Sequence, residues 1–155
     1  MAIIIECPNE NYSLENNKNI KLFLAGGITF CENWQILMID KLKHIENLTI
    51  YNPRRSNFDI YNKDLLEEQI VWEYNHLRDC NIISFWFAKE TLNPITLYEL
   101  GKANASNKKI FVGIDDDYKR KDDVIIQTKL INNINDFYNS VDLLSSKIEE
   151  YIKSN

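Results

Sequence analysis

Short, mostly apolar runs alternate along the chain with longer segments in which apolar residues recur at helical spacing. The runs cover residues 20–27, 48–53, 81–87 and 108–114, and such near-continuous apolar stretches are typical of strands buried on both faces. Paired glycines end the first run and a proline ends the second, as expected where a strand gives way to a turn. We predict four buried strands here and a fifth, weaker strand near "KLINNI" at 129–134.

The segments between these runs predict amphipathic helices at 32–46 and 64–79, a helix that begins after Pro94, and a terminal helix at 136–154. In the helix after Pro94, Ile95, Leu97, Leu100 and Ala103 are available to pack inward. The first helix has apolar residues close to helical spacing at Trp34, Leu37, Met38 and Leu42, and the second has apolar side chains at Leu65, Ile70, Trp72 and Leu77. Residues 1–19 are rich in Asn and Glu, and we expect either an edge strand with a loop or a partly mobile arm.

Strands that alternate with helices indicate an α/β fold, in which a parallel sheet carries helices on both faces. Ligands bind such sheets beyond the carboxyl ends of the strands, where the strand order reverses. We therefore expect ligand-binding or catalytic residues in the loops at 25–34, 52–58, 87–99 and 113–120.

Length and composition narrow the class of protein. A chain of 155 residues with 45% hydrophobic and 26% charged residues is expected to form one globular domain, 1–155. Its net charge of -5 argues against binding to a nucleic-acid backbone, and it has no apolar run long enough for a membrane span. The three separated cysteines fit a reducing, cytoplasmic compartment, and no cysteine spacing suggests a metal site.

The first predicted strand leads into Gly26 and Gly27, and glycines at such a turn allow close backbone approach to a ligand or positive φ. A tight turn without a ligand remains an alternative. Trp34 follows in the first turns of the next helix, where it either borders the ligand or packs in the core. Asn52 and Arg54, at the end of the second strand, are candidate substrate-binding residues.

Arginine forks bind carboxylate or phosphate at two points, so Arg54 and Arg55 could hold a substrate anion, although exposed arginines are commonly only solvated. Glu73 and His76 share a helix face, but a zinc site would need further ligands. Glu99 is expected near the N-terminal part of a helix, where the helix dipole stabilises an ionised carboxylate. Such a carboxylate is either a plain helix residue or a nucleophile.

Several of these segments together resemble one family, the nucleoside 2-deoxyribosyltransferase-like proteins, over about residues 20–130. The segments are "LFLAGGI", "YNPRR", "QIVWEYNHL", "ISFWFAKETLNPITLYELGKA" and "VGIDDDYKRKDDVIIQT". The resemblance implies a flavodoxin-like three-layer sandwich with a five-stranded parallel sheet. It also implies cleavage of the N-glycosidic bond of 2′-deoxynucleosides through a covalent sugar–glutamate intermediate, a role in nucleotide salvage, and no cofactor.

Carried over by motif, the family's nucleophile is Glu99 and a second carboxylate is Glu73, where better known members have Asp. A further Asp of those enzymes is replaced here by Asn93, which cannot act as an acid, so the acid role shifts to Glu73 with Asp79 in reserve. Gly26 and Gly27 would let the substrate approach the backbone, and Trp34 would border the base.

The family resemblance leaves three functions open: transfer of the sugar to a second base, hydrolysis of deoxynucleoside 5′-monophosphates, and nucleotide binding without turnover. Family members also assemble, so we expect a homo-oligomer in which residues around Tyr151 can complete a neighbour's site.

Overall fold

The computed structural model describes residues 1–10 and 18–155, which form six strands and five helices. The strands are β1 (Ile3–Glu6), β2 (Ile20–Gly26), β3 (Leu48–Asn52), β4 (Ile82–Phe87), β5 (Lys109–Ile114) and β6 (Phe137–Tyr138). The helices are α1 (Trp34–Leu42), α2 (Lys63–Asp79), α3 (Pro94–Asn104), α4 (Lys121–Asn132) and α5 (Val141–Ser154). The four strongly predicted strands and the helices between them are confirmed within two residues, except that α1 is shorter at both ends.

All strand pairs are parallel, and the strand order across the sheet is β1-β3-β2-β4-β5-β6. Without β1, the remaining strands have the flavodoxin-like order. The sixth strand comes from the N-terminal segment, where an edge strand was one of two expectations. The other, a loop or arm, falls partly on residues 11–17, which lie outside the described residues.

The prediction of a strand near "KLINNI" is wrong, because most of residues 129–134 belong to the last turns of α4, which ends at Asn132. Leu130 and Ile131 are exposed there, so the apolar content of this segment does not mark a buried strand. Asn133 ends the helix in a left-handed conformation, at φ 54°. The strand at that edge of the sheet is β6, which takes the first residues of the predicted terminal helix.

Side-chain alternation along the strands divides the core into two layers. Leu22 and Leu24 of β2 belong to the cluster that includes residues of α1 and α5, whereas Phe23 and Ala25 belong to the cluster with residues of α2, α3 and α4. The molecule is therefore a three-layer α/β sandwich, with two helices on one face of the sheet and three on the other.

Ile95, which was expected to pack inward, is exposed, and so are two other apolar helix residues, Leu37 and Ile70. The buried stripes of their helices pass through other positions, such as Trp34, Trp72 and Leu100. A helix on an open sheet buries only the stripe that contacts it, so apolar residues beside the stripe stay at the surface. Among the described residues, no helix is long and apolar enough to cross a membrane.

The strand order reverses at β2: the strand that follows it in the chain, β3, lies on one side of it, and the next strand, β4, lies on the other. The connections leaving β2 and β4 diverge at this point, because α1 packs on one face of the sheet and α3 on the other. This divergence opens a crevice at the carboxyl ends of β2 and β4, where ligands bind in open α/β sheets.

Candidate active site

A cavity of about 740 Å³ occupies this crevice and continues between α2 and α3. Its volume suits a ligand of nucleoside or drug size. Five of the nine predicted site residues line it, and they come from three separate parts of the chain: Gly26, Gly27, Glu73, Asn93 and Glu99. The other four, Trp34, Asn52, Arg54 and Asp79, do not line this cavity.

Glu99 projects into the cavity from α3, one turn before Lys102 on the same helix. The pKa of the Glu99 carboxyl is raised to about 8, chiefly by burial and also by the negative charge of Glu73, while the Lys102 ammonium acts in the opposite direction. The expectation that the helix N-terminus keeps Glu99 ionised is therefore wrong for the free protein. Glu99 is five residues beyond Pro94, and the dipole effect fades beyond the first turn.

Glu73 reaches the same cavity from α2. Burial raises the pKa of its carboxyl, as expected for an acid, while a hydrogen bond from Gln69 lowers it. In that bond Gln69 Nε2 donates to Glu73 Oε1 at 2.7 Å. Because the charge of Glu73 acts on Glu99, the two groups titrate as a pair, and near neutral pH the pair retains a proton.

Gly26 is required by the packing beneath the cavity. A Cβ atom on Gly26 would lie 2.5 Å from Cζ2 of Trp34 and 2.7 Å from the Trp86 carbonyl oxygen. Trp34 itself is buried in the core, and its Nε1 donates to the Gly27 carbonyl at 3.1 Å. Trp34 thus supports the turn from behind, as in the core alternative of the sequence analysis. None of the described glycines has positive φ, so Gly26 and Gly27 serve close packing at this turn and not a left-handed conformation.

Asn93 joins the loop before α3 to the turn after β2. A Cβ atom on Gly27 would collide with Oδ1 of Asn93, so the missing side chain makes room for this amide. Asn93 Nδ2 donates to the carbonyls of Ala88 at 3.0 Å and Thr91 at 3.1 Å, and its Oδ1 accepts from Thr91 Oγ1 at 2.8 Å. Both amide hydrogens are therefore occupied by the loop itself. Asn93 also tolerates φ of 50°, which asparagine adopts more readily than most residues.

Arg54 ties the end of β3 to the loop before α1 rather than facing the cavity. Its Nη1 donates to the Glu32 carbonyl at 2.8 Å and to Gln35 Oε1 at 3.2 Å, and its Nη2 donates to the Cys31 carbonyl at 3.0 Å. Asn52 supports this arrangement, because its Oδ1 accepts from the Arg54 backbone N–H at 3.1 Å. These two residues hold the wall of the site in place from outside it.

Asp79 is the last residue of α2 and does not line the cavity. It pairs with Lys21 at 2.9 Å and accepts a hydrogen bond from the Tyr51 hydroxyl at 2.6 Å. Burial would raise the pKa of Asp79, but the bonds from Tyr51 and Lys21 outweigh it and the pKa is lowered. An ionised, distant carboxylate is unsuited to serve as the reserve acid.

His76, the helix neighbour of Glu73, is buried and stacks on Trp72, with ring centroids 3.9 Å apart. It does not line the cavity. Among the described residues, no group of three or more His, Cys, Asp or Glu side chains could hold a metal ion.

Sequence reasoning missed several residues of the cavity wall, including Gln69, Tyr74, Tyr98 and Lys102. Helical spacing could have found two of them, because Gln69 is four residues before Glu73 and Lys102 is three residues after Glu99. Arg55, which the sequence did offer as a candidate for a substrate anion, lines the wall, and its guanidinium pairs with Glu68 at 2.5 Å.

The fold and the site define a flavodoxin-like α/β protein with a coupled pair of carboxyl groups in a nucleoside-sized cavity. A family model described as nucleoside 2-deoxyribosyltransferase like matches residues 19–118, more than half of the chain. The chain therefore belongs to the nucleoside 2-deoxyribosyltransferase-like family. A comparison with curated proteins found no match.

Proposed function

We propose that this protein is a nucleoside 2′-deoxyribosyltransferase that moves deoxyribose from one nucleobase to another. The observation that carries the proposal is the coupled pair of Glu73 and Glu99, which project from two helices into one cavity at the switch point of the sheet. Such a pair supplies both a nucleophile and an acid, and a retaining glycosyl transfer needs both.

In the first half-reaction, the Glu99 carboxylate attacks C1′ of the deoxynucleoside through an oxocarbenium-like transition state. The C1′–N bond breaks as the ester bond to Glu99 forms. Glu73 donates its proton to the departing base, so the base leaves neutral. The reacting form of the pair thus holds one proton on Glu73, whereas in the free protein the raised pKa of Glu99 favours the proton on Glu99.

In the second half-reaction, an incoming base binds where the first one left. Glu73, now ionised, takes a proton from its attacking nitrogen, and that nitrogen forms a new bond to C1′. The ester bond breaks and Glu99 departs as a carboxylate, so the free enzyme is restored. Attack by water at the same stage would instead release free deoxyribose.

The cavity wall also favours a nucleoside over a nucleotide. A 5′-monophosphate needs a cation to hold its phosphate, yet Arg54 bonds to the loop before α1 and Arg55 pairs with Glu68. The ammonium of Lys102, also on the cavity wall, acts on the Glu99 carboxyl. Lys121 of the "DYKRK" segment pairs with Asp116 at 2.6 Å. We therefore expect base exchange that does not depend on a 5′-phosphate. Release of deoxyribose 5-phosphate from the monophosphate, with no exchange of free nucleosides, would instead support the hydrolase.

Substitution of Glu99 tests the proposal directly. Glu99→Ala should reduce base exchange, measured between a deoxynucleoside and a second free base, by at least about a thousandfold because no nucleophile remains. The matched control is Glu67→Ala, which removes an exposed glutamate from α2. Exchange at the control's rate in a folded Glu99→Ala protein would disprove the mechanism. Stabilisation by nucleosides without base release in the wild type would indicate a binding module.

A further inference from the structure

Gln69 is an almost completely buried amide next to the proposed acid, with 6% of its surface exposed. Its Nε2 donates to the Pro53 carbonyl at 2.7 Å and to Glu73 Oε1 at 2.7 Å. Its Oε1 accepts from the thiol of Cys7 at 3.1 Å. Both ends of the amide therefore have partners, and these are the residue that follows β3, a residue of α2 and the residue that follows β1.

The chemistry of these partners permits one orientation of the Gln69 amide. A backbone carbonyl such as that of Pro53 only accepts hydrogen bonds, so the NH₂ group must face it. The amide oxygen then faces Cys7, which must donate. Burial raises the pKa of the Cys7 thiol to about 12, despite the opposing charge of Arg55, so the thiol keeps its proton at neutral pH.

We propose that Gln69, held in place by Cys7, is a positioning residue that reserves Oε1 of Glu73 for a hydrogen bond and leaves Oε2 to carry the transferable proton. This inference rests on the proposed function, since it concerns how Glu73 acts as its acid. Cys7 acts through Gln69 and touches no substrate.

The reason lies in the donors and acceptors around Glu73. A proton on Oε1 would point at the Gln69 N–H and set two donors against each other. Among the described residues, Oε2 has no hydrogen-bond partner, and Glu73 lines the cavity. The proton is thus directed to the oxygen that is open to the leaving base. The titratable and charged groups around this network are Cys7, Arg55, Glu68, Glu99 and Lys102.

The test measures the titration of Glu73 in the unliganded protein by ¹³C NMR of its carboxyl carbon, assigned with a Glu73→Gln variant. Gln69→Leu removes the N–H donor that favours the ionised carboxylate, so the pKa of Glu73 should rise. Cys7→Ala should raise it less, because Gln69 keeps its bond to Pro53 but loses its fixed orientation. Cys7→Ser, which retains a donor, should restore the wild-type titration.

Activity provides the second measurement. In Gln69→Leu, kcat for a substrate with a poor leaving base should fall by about tenfold to a hundredfold, with KM little changed, because the acid is misplaced. Activated leaving bases should be affected less. The control is Cys80→Ala, which removes another buried thiol, one that donates to the Leu77 carbonyl at 3.2 Å outside this network. It should leave both measurements unchanged.

An unchanged Glu73 titration in folded Gln69→Leu would overturn the role of Gln69. Equal behaviour of Cys7→Ser and Cys7→Ala would overturn the role of the thiol. If Gln69→Leu does not fold, the two Cys7 variants carry the test alone. If the variants shift the Glu73 titration but the wild-type protein exchanges no bases, the positioning is supported and the proposed function is refuted. The two failures are therefore distinguishable.

Discussion

Glu73 and Glu99 determine the charge state of the cavity because each carboxyl is shifted in the same direction, towards its neutral form. Burial is the larger cause for both, and the charge of Glu73 adds to the effect at Glu99. The pair therefore loses its last proton at a higher pH than an ordinary carboxyl group does. A bound pair that retains one proton near pH 7 can supply an acid and a carboxylate in the same turnover.

This charge state predicts a bell-shaped dependence of kcat/KM on pH. Above the Glu99 pKa of about 8 the pair loses its last proton, so no acid remains and kcat/KM should fall about tenfold per pH unit. At low pH, below the raised pKa of Glu73, a second proton removes the free carboxylate and activity should fall again.

Rates of base exchange measured from pH 4 to pH 10 check this profile. The Glu73→Gln variant provides the comparison, because it has no second acid and should lose the alkaline limb while its overall rate drops. A wild-type rate that still rises above pH 9 would contradict a proton held by this pair.

Placing an acid at position 93 is expected to destabilise the protein without increasing its activity. In Asn93→Asp the two N–H donors to Ala88 and Thr91 disappear and a carboxylate faces their carbonyls. We expect a loss of stability on the order of 2–3 kcal/mol and no increase in base exchange. Thermal melting and the exchange assay measure both effects.

The control for Asn93→Asp is Asn107→Asp, which changes an exposed residue. It should leave the melting temperature nearly unchanged. An Asn93→Asp protein that melts like this control and exchanges bases faster would show that position 93 is available for acid catalysis.

At the scale of elements, four loops hold one another at the carboxyl edge of the sheet. The loop before α3 packs against Gly27 through Asn93, and the Tyr118 hydroxyl donates to the Leu92 carbonyl at 2.7 Å. Arg54 binds the carbonyls of the loop before α1 from the end of β3. Because these bonds are internal, the cavity wall is formed before a ligand arrives.

Gly26, the last residue of β2, has no room for a side chain. Gly26→Ala would place a methyl group against the Trp34 ring and the Trp86 backbone, and the backbone cannot move as a flexible side chain would. We expect a loss of about 1–3 kcal/mol in the free energy of unfolding, measured by denaturant titration.

Gly101→Ala is the matched change in a helix, where a Cβ atom meets nothing within 4 Å. It should stabilise the protein by about 0.5–1 kcal/mol, since alanine favours a helix interior over glycine. Equal effects of the two substitutions would contradict the packing role of Gly26.

At the scale of the whole molecule, apolar runs and their spacing were enough to predict the parallel sandwich and the edge at which the site lies. They failed at β6, because two strand residues at an edge leave little apolar signal, whereas Leu130 and Ile131 give a stronger one while exposed on α4. Side-chain orientation was also beyond the sequence. Arg54 and Trp34 are close in sequence to residues that line the cavity, yet neither side chain lines it, and both bond to backbone carbonyls instead.

The raised pKa of Glu99 could not be predicted either, since it depends first on burial in the assembled cavity and then on the approach of Glu73 from a different helix. Local sequence suggested a helix terminus and an ionised group, whereas tertiary burial gives the opposite direction. The motif identified the residue, and only the assembled cavity determines its protonation.

Through Cys7 and Gln69, the N-terminal strand connects the edge of the sheet to Glu73. β1 pairs only with β3 in the described sheet, and it ends at Glu6, so Cys7 reaches Gln69 only while this pairing persists. Edge strands are where local opening begins, and hydrogen exchange detects such opening without global unfolding. Exchange protection of the amides of β1 would thus report, residue by residue, how much of the time Glu73, the proposed acid, is correctly oriented.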